Sequence, residues 1–198
     1  MPRVLISYRE RTKKKHGGTS DDHPFSKPLN TVERPPTDVQ RKPVPPAPDS
    51  LATLRAVRDA VPLVPKPEDD CCRRVLDRTD VTDRGTASSW LVFLAALGAV
   101  AEEDTGYART RTELDREALA SAFVDNVFLA AECLEALNAD DPRTPADVFE
   151  AVRDRVPRWE RTKRENWPAF WTDRVERRLD WAVLLGLATE TDDGYLRA

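Results

Sequence analysis

The sequence predicts a mainly α fold with small β-hairpins, arranged as two related helix-plus-hairpin units behind a disordered tail. Three observations carry this. Apolar residues recur at three-to-four spacing from Leu51 onward. Two Leu-Gly pairs, Leu97-Gly98 and Leu185-Gly186, are each followed by a short run and a turn that closes on Gly-Tyr. These two stretches align without a gap at an offset of 88 residues.

The tail is set off by composition. Residues 1–48 hold ten Lys/Arg against five Asp/Glu, a formal +5, whereas 49–198 hold 21 against 30, a formal −9. Stretches 11–20 and 35–48 are polar, basic or Pro-rich, with little to bury. Val4, Leu5 and Ile6 could form a short docking strand. Pro35, Pro36, Pro43, Pro45, Pro46 and Pro48 favour extended polyproline geometry, suiting a spacer or a ligand for a partner. A basic tail on an acidic body reads as an arm for a polyanion, or as a solvated tail without a partner.

The body begins with Ser50 as a cap, followed by Leu51, Leu54, Val57 and Val61 on one helical face. Pro62, Pro65 and Pro67 end that helix and open a second over 67–78, whose first turn carries Glu68, Asp69 and Asp70 at the positive end of the helix dipole. A third helix over 86–97 stops at Gly98, the expected left-handed residue. Residues 99–103 and 107–111 flank the turn Asp104-Thr105-Gly106 as a hairpin. One long helix is expected over 115–137, with Leu119, Phe123, Val127, Phe128, Ala131 and Leu134 as its apolar positions. Thr144-Pro145-Ala146-Asp147 starts another helix. Asn166 and Pro168 start the last, which ends at Gly186. A second hairpin follows around Asp192-Asp193-Gly194.

The repeat comprises eight identities over 91–109: Leu91, Leu97, Gly98, Glu102, Asp104, Gly106, Tyr107 and Arg109 recur as Leu179, Leu185, Gly186, Glu190, Asp192, Gly194, Tyr195 and Arg197. A helix ending in Leu-Gly, an apolar strand, an Asp-x-Gly-Tyr turn and a return strand resembles the end of a winged helix-turn-helix domain. The fold class is thus tandem winged-helix-like units preceded by a disordered tail: a tail over 1–48, a first unit over 49–113, and a long helix plus second unit over 114–198. The resemblance implies that the helix before each hairpin is a recognition helix and each hairpin a wing. Generic helix-hairpin packing would give the same pattern. Five of seven lysines lie in the tail, arginine serves elsewhere, and Asp outnumbers Glu. That bias resembles proteins of halophilic archaea; a GC-rich genome would also favour arginine.

The two units differ in charge. Residues 90–97 are apolar on every side, and a helix apolar all round is buried. The first unit is therefore expected to pack on the second, on a protein partner or in a homodimer. The second helix carries Arg174, Arg177 and Arg178, and the preceding segment adds Arg158, Arg161, Lys163 and Arg164. Residues 152–178 hold nine basic and five acidic side chains, a local +4. With Arg197 on the return strand, these form the candidate nucleic-acid-binding set, aimed at backbone phosphates. Glu160, Glu165, Asp173 and Glu176 could instead pair them as surface ion pairs. Changing Arg174, Arg177 and Arg178 to Glu is expected to abolish duplex binding. Trp167, Phe170 and Trp171 read as packing groups, and Tyr107 and Tyr195 as wing-root anchors.

Other chemistry finds no support. No Gly-rich phosphate loop occurs. His16 and His23 lie in the tail, beside Asp21 and Asp22, so the body has no histidine for acid–base or metal work. Cys71, Cys72 and Cys133 lack ligand spacing, and the vicinal pair suits a structural bridge poorly. No catalytic residue, cofactor or metal is expected. No apolar run approaches the roughly 20 residues of a membrane span, and no secretory core opens the chain, so a cytoplasmic location is expected. The favoured reading is a nucleic-acid-associated protein, a transcriptional regulator that binds duplex DNA through the second unit. The rival is a protein-interaction scaffold that uses the winged units and the Pro-rich tail.

Overall fold

A computed structural model describes residues 44–198; the expectations for 1–43, including the docking strand, the histidines and the tail's disorder, lie outside the described residues. The first described residues are already packed. Val44 and Pro45 are buried, and the Trp181 indole donates to the Pro45 carbonyl at 2.8 Å. The spacer's last residues therefore belong to the body.

The first unit follows its local signals. Helix α1 spans Leu51–Ala60 and buries Leu54 and Val57. Ser50 stands at its N-cap, but its side chain makes no capping bond. Helix α2 spans Glu68–Arg78. Helix α3 spans Arg84–Ala96 and starts two residues earlier than predicted, because Asp83 accepts from the Thr86 amide at 2.8 Å. Gly98 ends this run with φ +69°. Strands β1 (Val100–Glu103) and β2 (Gly106–Arg109) pair antiparallel, Glu103 opposite Gly106.

The second unit departs from prediction in two places. The long helix is broken into α4 (Arg116–Asn126) and α5 (Ala130–Glu135), with Leu129 left-handed at φ 67°. The apolar residues continue through the break, so the periodicity concealed it. After α6 (Pro145–Val152), which carries the Thr144–Asp147 capping box, come a 3-10 turn (Arg153–Arg155) and an extra helix α7 (Arg158–Lys163). Helix α8 (Trp167–Leu185) ends at Gly186, φ +79°, and strands β3 (Ala188–Thr191) and β4 (Gly194–Arg197) form the second hairpin.

Each hairpin gains a third strand one residue wide. Lys66 exchanges backbone hydrogen bonds with Tyr107 at 2.9 and 3.1 Å, and Arg143 does the same with Tyr195 at 2.9 and 3.0 Å. This explains the repeated Gly-Tyr better than the turn does. A Cβ on Gly106 (φ +129°) would sit inside the Lys66 carbonyl, and one on Gly194 (φ +136°) would lie 2.6 Å from the Arg143 oxygen. Gly106→Ala and Gly194→Ala are each expected to cost about 1–3 kcal/mol, read as a lowered urea midpoint. An unchanged midpoint would mean that the bridging segment is free to move away.

The two units share one core. Phe93 of α3 and Trp181 of α8, equivalent positions in the repeat, meet with ring centroids 4.5 Å apart. Trp90 adds an edge contact to Trp181 at 5.6 Å. Helix α4 braces both: Arg116 donates to the Leu184 carbonyl at 2.6 and 3.1 Å, and Asn126 to the Ala96 carbonyl at 3.0 Å. These are also equivalent positions, so one short helix satisfies a free carbonyl at the C-terminal end of each unit's third helix. Among the described residues, no helix is long and apolar enough to cross a membrane.

Candidate nucleic-acid interface

In each unit the order helix, bridging strand, helix, helix, hairpin puts α3 and α8 at the position of a winged helix's third helix and the hairpins at that of its wing. Neither helix is presented in the expected way. Trp90, Leu91, Val92, Phe93 and Leu94 are all buried, so the C-terminal half of α3 offers no groove-reading face. Its apolar surface packs within the chain on Trp181 of the second unit, the first of the covers expected for it.

On α8 the buried stripe runs Trp171, Val175, Arg178, Ala182, Leu185, at alternating spacings of four and three. Arg178 therefore lies on the core face and is 1% exposed. Its assignment as a phosphate contact is corrected. Its guanidinium donates from Nε to the Phe128 carbonyl at 2.6 Å, and from Nη1 to the Arg174 carbonyl. Phe128 belongs to the α4–α5 break, whose carbonyl the helix no longer satisfies. Burial pushes the Arg178 pKa down to about 10, so it remains charged at neutral pH. The same burial pushes the neighbouring Cys133 thiol up to about 12. Cys71 and Cys72 are also buried and free, their thiols raised by desolvation.

Arg174 shares that inward-turned side. It is half-buried, with its guanidinium 4.4 Å from the Phe170 ring centroid and 5.1 Å from that of Trp171. Arg177 pairs with Asp173 at 3.1 Å. The exposed positions of α8 include Asp173 and Glu176, so its outward face is not basic. The wings are acidic as well: Glu102, Glu103 and Asp104 on one, Glu190, Asp192 and Asp193 on the other, all exposed. Arg109 is held by Asp59 at 2.6 Å. Arg197 is exposed on β4, and its backbone amide donates to the Asn138 carbonyl at 2.8 Å. Tyr107 and Tyr195 are buried wing roots; Tyr195 donates its hydroxyl to Asp180 at 2.7 Å. Burial raises both phenols well above their ordinary range.

The exposed cations without ion pairs lie elsewhere. Between α2 and α3 the first unit has only residues 79–83; between α6 and α8 the second has 153–166. This insertion carries the remaining candidates. Arg161 is structural: it donates to the Val156 and Arg153 carbonyls at 2.9 and 2.8 Å and lies over Trp167 at 5.4 Å. Arg153 pairs with Glu150 at 2.6 Å. Arg158, Lys163 and Arg164 are exposed and form no ion pair among the described residues. Arg155, which the sequence reading left out, is exposed in the same way. The unequal spacing between the two copies was the signal for it. Arg164 rests 4.0 Å from the Phe170 centroid and Lys163 5.6 Å from that of Trp159, contacts that orient the cations without neutralising them. Trp167 and Trp171 pack against Phe149 and Phe128, at 5.6 and 6.0 Å, as expected of packing groups.

Two bridged helix-hairpin units on one core define a tandem winged-helix protein. The halobacterial double winged helix domain matches residues 39–198, and the chain belongs to that family. Comparison with curated proteins and with solved structures gives no match.

Proposed function

We propose that this protein binds nucleic acid through phosphate contacts from the insertion of the second unit, and that the paired winged-helix bodies serve as its rigid frame. The role is one of binding, without catalysis, in the cytoplasm. Duplex DNA is the first target to test, and transcriptional regulation is the use such binding would serve. The observation that carries the reading is the group of four exposed cations, Arg155, Arg158, Lys163 and Arg164, without ion-pair partners among the described residues on an otherwise acidic body. Unpaired charges held on a short ordered segment lose little by engaging phosphates and gain the entropy of released counterions. The buried C-terminal half of α3 and the acidic outward face of α8 argue against groove reading, so little dependence on base sequence is expected.

Fluorescence anisotropy with the full chain and a labelled duplex tests this. Four phosphate contacts give a slope of log K against log salt of about −3.6. The fourfold change Arg155→Glu, Arg158→Glu, Lys163→Glu and Arg164→Glu is expected to abolish binding with the helical circular dichroism intact. Unchanged affinity would refute the assigned surface. The scaffold reading draws on Leu63 and Val64, 53% and 66% exposed on the loop before the Lys66 bridge. It becomes the better one if no nucleic acid binds.

A further inference from the structure

We infer that Arg164 and Arg174, gathered at the Phe170 ring, form a discrete site for a phosphate monoester, the dianionic group at the 5′ end of a strand. This rests on the phosphate-binding reading above and adds to it which phosphate is held, and where.

Arg174 is the exception among the half-buried arginines of the described residues. The others, Arg58, Arg74, Arg153 and Arg161 among them, each reach a carbonyl or a carboxylate. The Arg174 guanidinium makes no hydrogen bond or ion pair among the described residues and lies against aromatic rings, 4.4 Å from the Phe170 centroid and 5.1 Å from that of Trp171. A second cation shares the first of those rings: Arg164, also without an ion pair, stands 4.0 Å from the Phe170 centroid. Burial lowers the Arg174 pKa, and the charges of Arg164 and Arg177 lower it further, against the pull of Glu160 and Asp173. Asp173 is taken by Arg177, and Glu160 forms no ion pair among the described residues. Trp171 adds a buried indole N–H that also lacks a partner there. At the 88-residue offset Arg174 corresponds to Thr86, so the winged-helix frame does not require it.

Two like charges gathered without a counterion are an arrangement that a bound anion relieves. Partial desolvation makes such a partner worth more to Arg174 than to a cation in open water. A ring holds a guanidinium in place while its N–H groups remain free for oxygens. A phosphate monoester carries a charge of about −1.5 to −2 at pH 7 and three strong acceptor oxygens, so one group satisfies both arginines. A diester inside a strand carries a single charge and leaves one of them unmatched. Arg158 and Lys163 on the adjoining α7 are then at hand for the diesters that follow the end.

The experiment uses the full chain and two labelled duplexes of one sequence, ending in 5′-phosphate or in 5′-hydroxyl, each over a salt series. Wild type is expected to bind the phosphorylated duplex on the order of tenfold more tightly, the usual worth of one hydrogen bond to a charged group. The preference should shrink as pH falls through about 6, where the monoester takes up a proton and arginine stays charged. Arg174→Gln is expected to equalise the two affinities while 5′-hydroxyl binding and the helical circular dichroism hold. Arg164→Gln, an exposed change that leaves the fold alone, should remove the preference as well and weaken both duplexes. No preference in wild type, or one that survives either substitution, would overturn the site and leave backbone phosphate binding standing. Equal weakening of both duplexes by Arg174→Gln would do the same. Displacement of the phosphorylated duplex alone by inorganic phosphate at the duplex's own concentration would make a free anion the occupant and overturn the strand end. Absence of salt-dependent binding to either duplex would overturn the phosphate reading and the site with it.

Discussion

Arg178→Glu is expected to unfold the second unit, and with it the shared core. The side chain is fully enclosed, and the groups facing its guanidinium are carbonyl oxygens of Phe128 and Arg174. A carboxylate there would meet acceptors without donors. An unpaired buried charge costs several kcal/mol, against a total stability of about 5–15 kcal/mol for a typical domain. The variant should therefore lack a cooperative urea transition. Arg178→Met separates shape from charge. It keeps the aliphatic volume and removes the cation's desolvation cost, but leaves the Phe128 carbonyl without its donor, an expected loss of about 1–3 kcal/mol. Its nucleic-acid affinity should equal that of wild type. A stable Arg178→Glu variant, or loss of binding by a fully stable Arg178→Met, would return this residue to the surface. The charge reversal of Arg174, Arg177 and Arg178 together, attractive from sequence, would report unfolding rather than lost phosphate contacts.

Trp181→Ala is the second large effect. The indole is wholly buried, touches Trp90 and Phe93 across the two units, and donates to the Pro45 carbonyl. Truncating a buried aromatic residue costs about 3–5 kcal/mol, and the orphaned carbonyl adds about 1–3 kcal/mol. The urea midpoint should fall accordingly, and proteolysis should begin to cut at residues 44–48, whose anchor is gone. Trp181→Phe should lose mainly the hydrogen bond. Phe93→Ala combined with Trp181→Ala should cost less than the two separately, because they remove one shared contact. Additive costs would mean that the units meet elsewhere. A midpoint unchanged by Trp181→Ala would deny the interface altogether.

Much of the fold is legible in the chain because its signals are local. Apolar spacing marks α1, Pro67 and the acidic first turn mark α2, Asn166 and Pro168 start α8, the Thr144–Asp147 pair caps α6, and Gly98 and Gly186 end helices in left-handed geometry. The 88-residue repeat exposes the paired architecture, since both copies must solve the same packing problem. The basic character of 152–178 is likewise a matter of composition.

Other features depend on contacts between distant residues. The Lys66 and Arg143 bridges are single pairings that leave no periodic trace, and only the cramped space at Gly106 and Gly194 betrays them. The break at Leu129 is invisible because apolar residues continue through it, and a donor from α8, Arg178, supplies what the broken helix lost. Arginines alike in sequence then part ways. Arg178 is drawn inside by an unsatisfied carbonyl, Arg161 is spent on the turn before α7, Arg177 is paired, and Arg155, Arg158, Lys163 and Arg164 stay in solvent. Sequence by itself determined two helix-hairpin units and a basic segment, because helix periodicity, caps and net charge are properties of neighbouring residues. Only the tertiary structure decided which cations face outward, because burial depends on which backbone groups and apolar faces arrive from elsewhere in the chain.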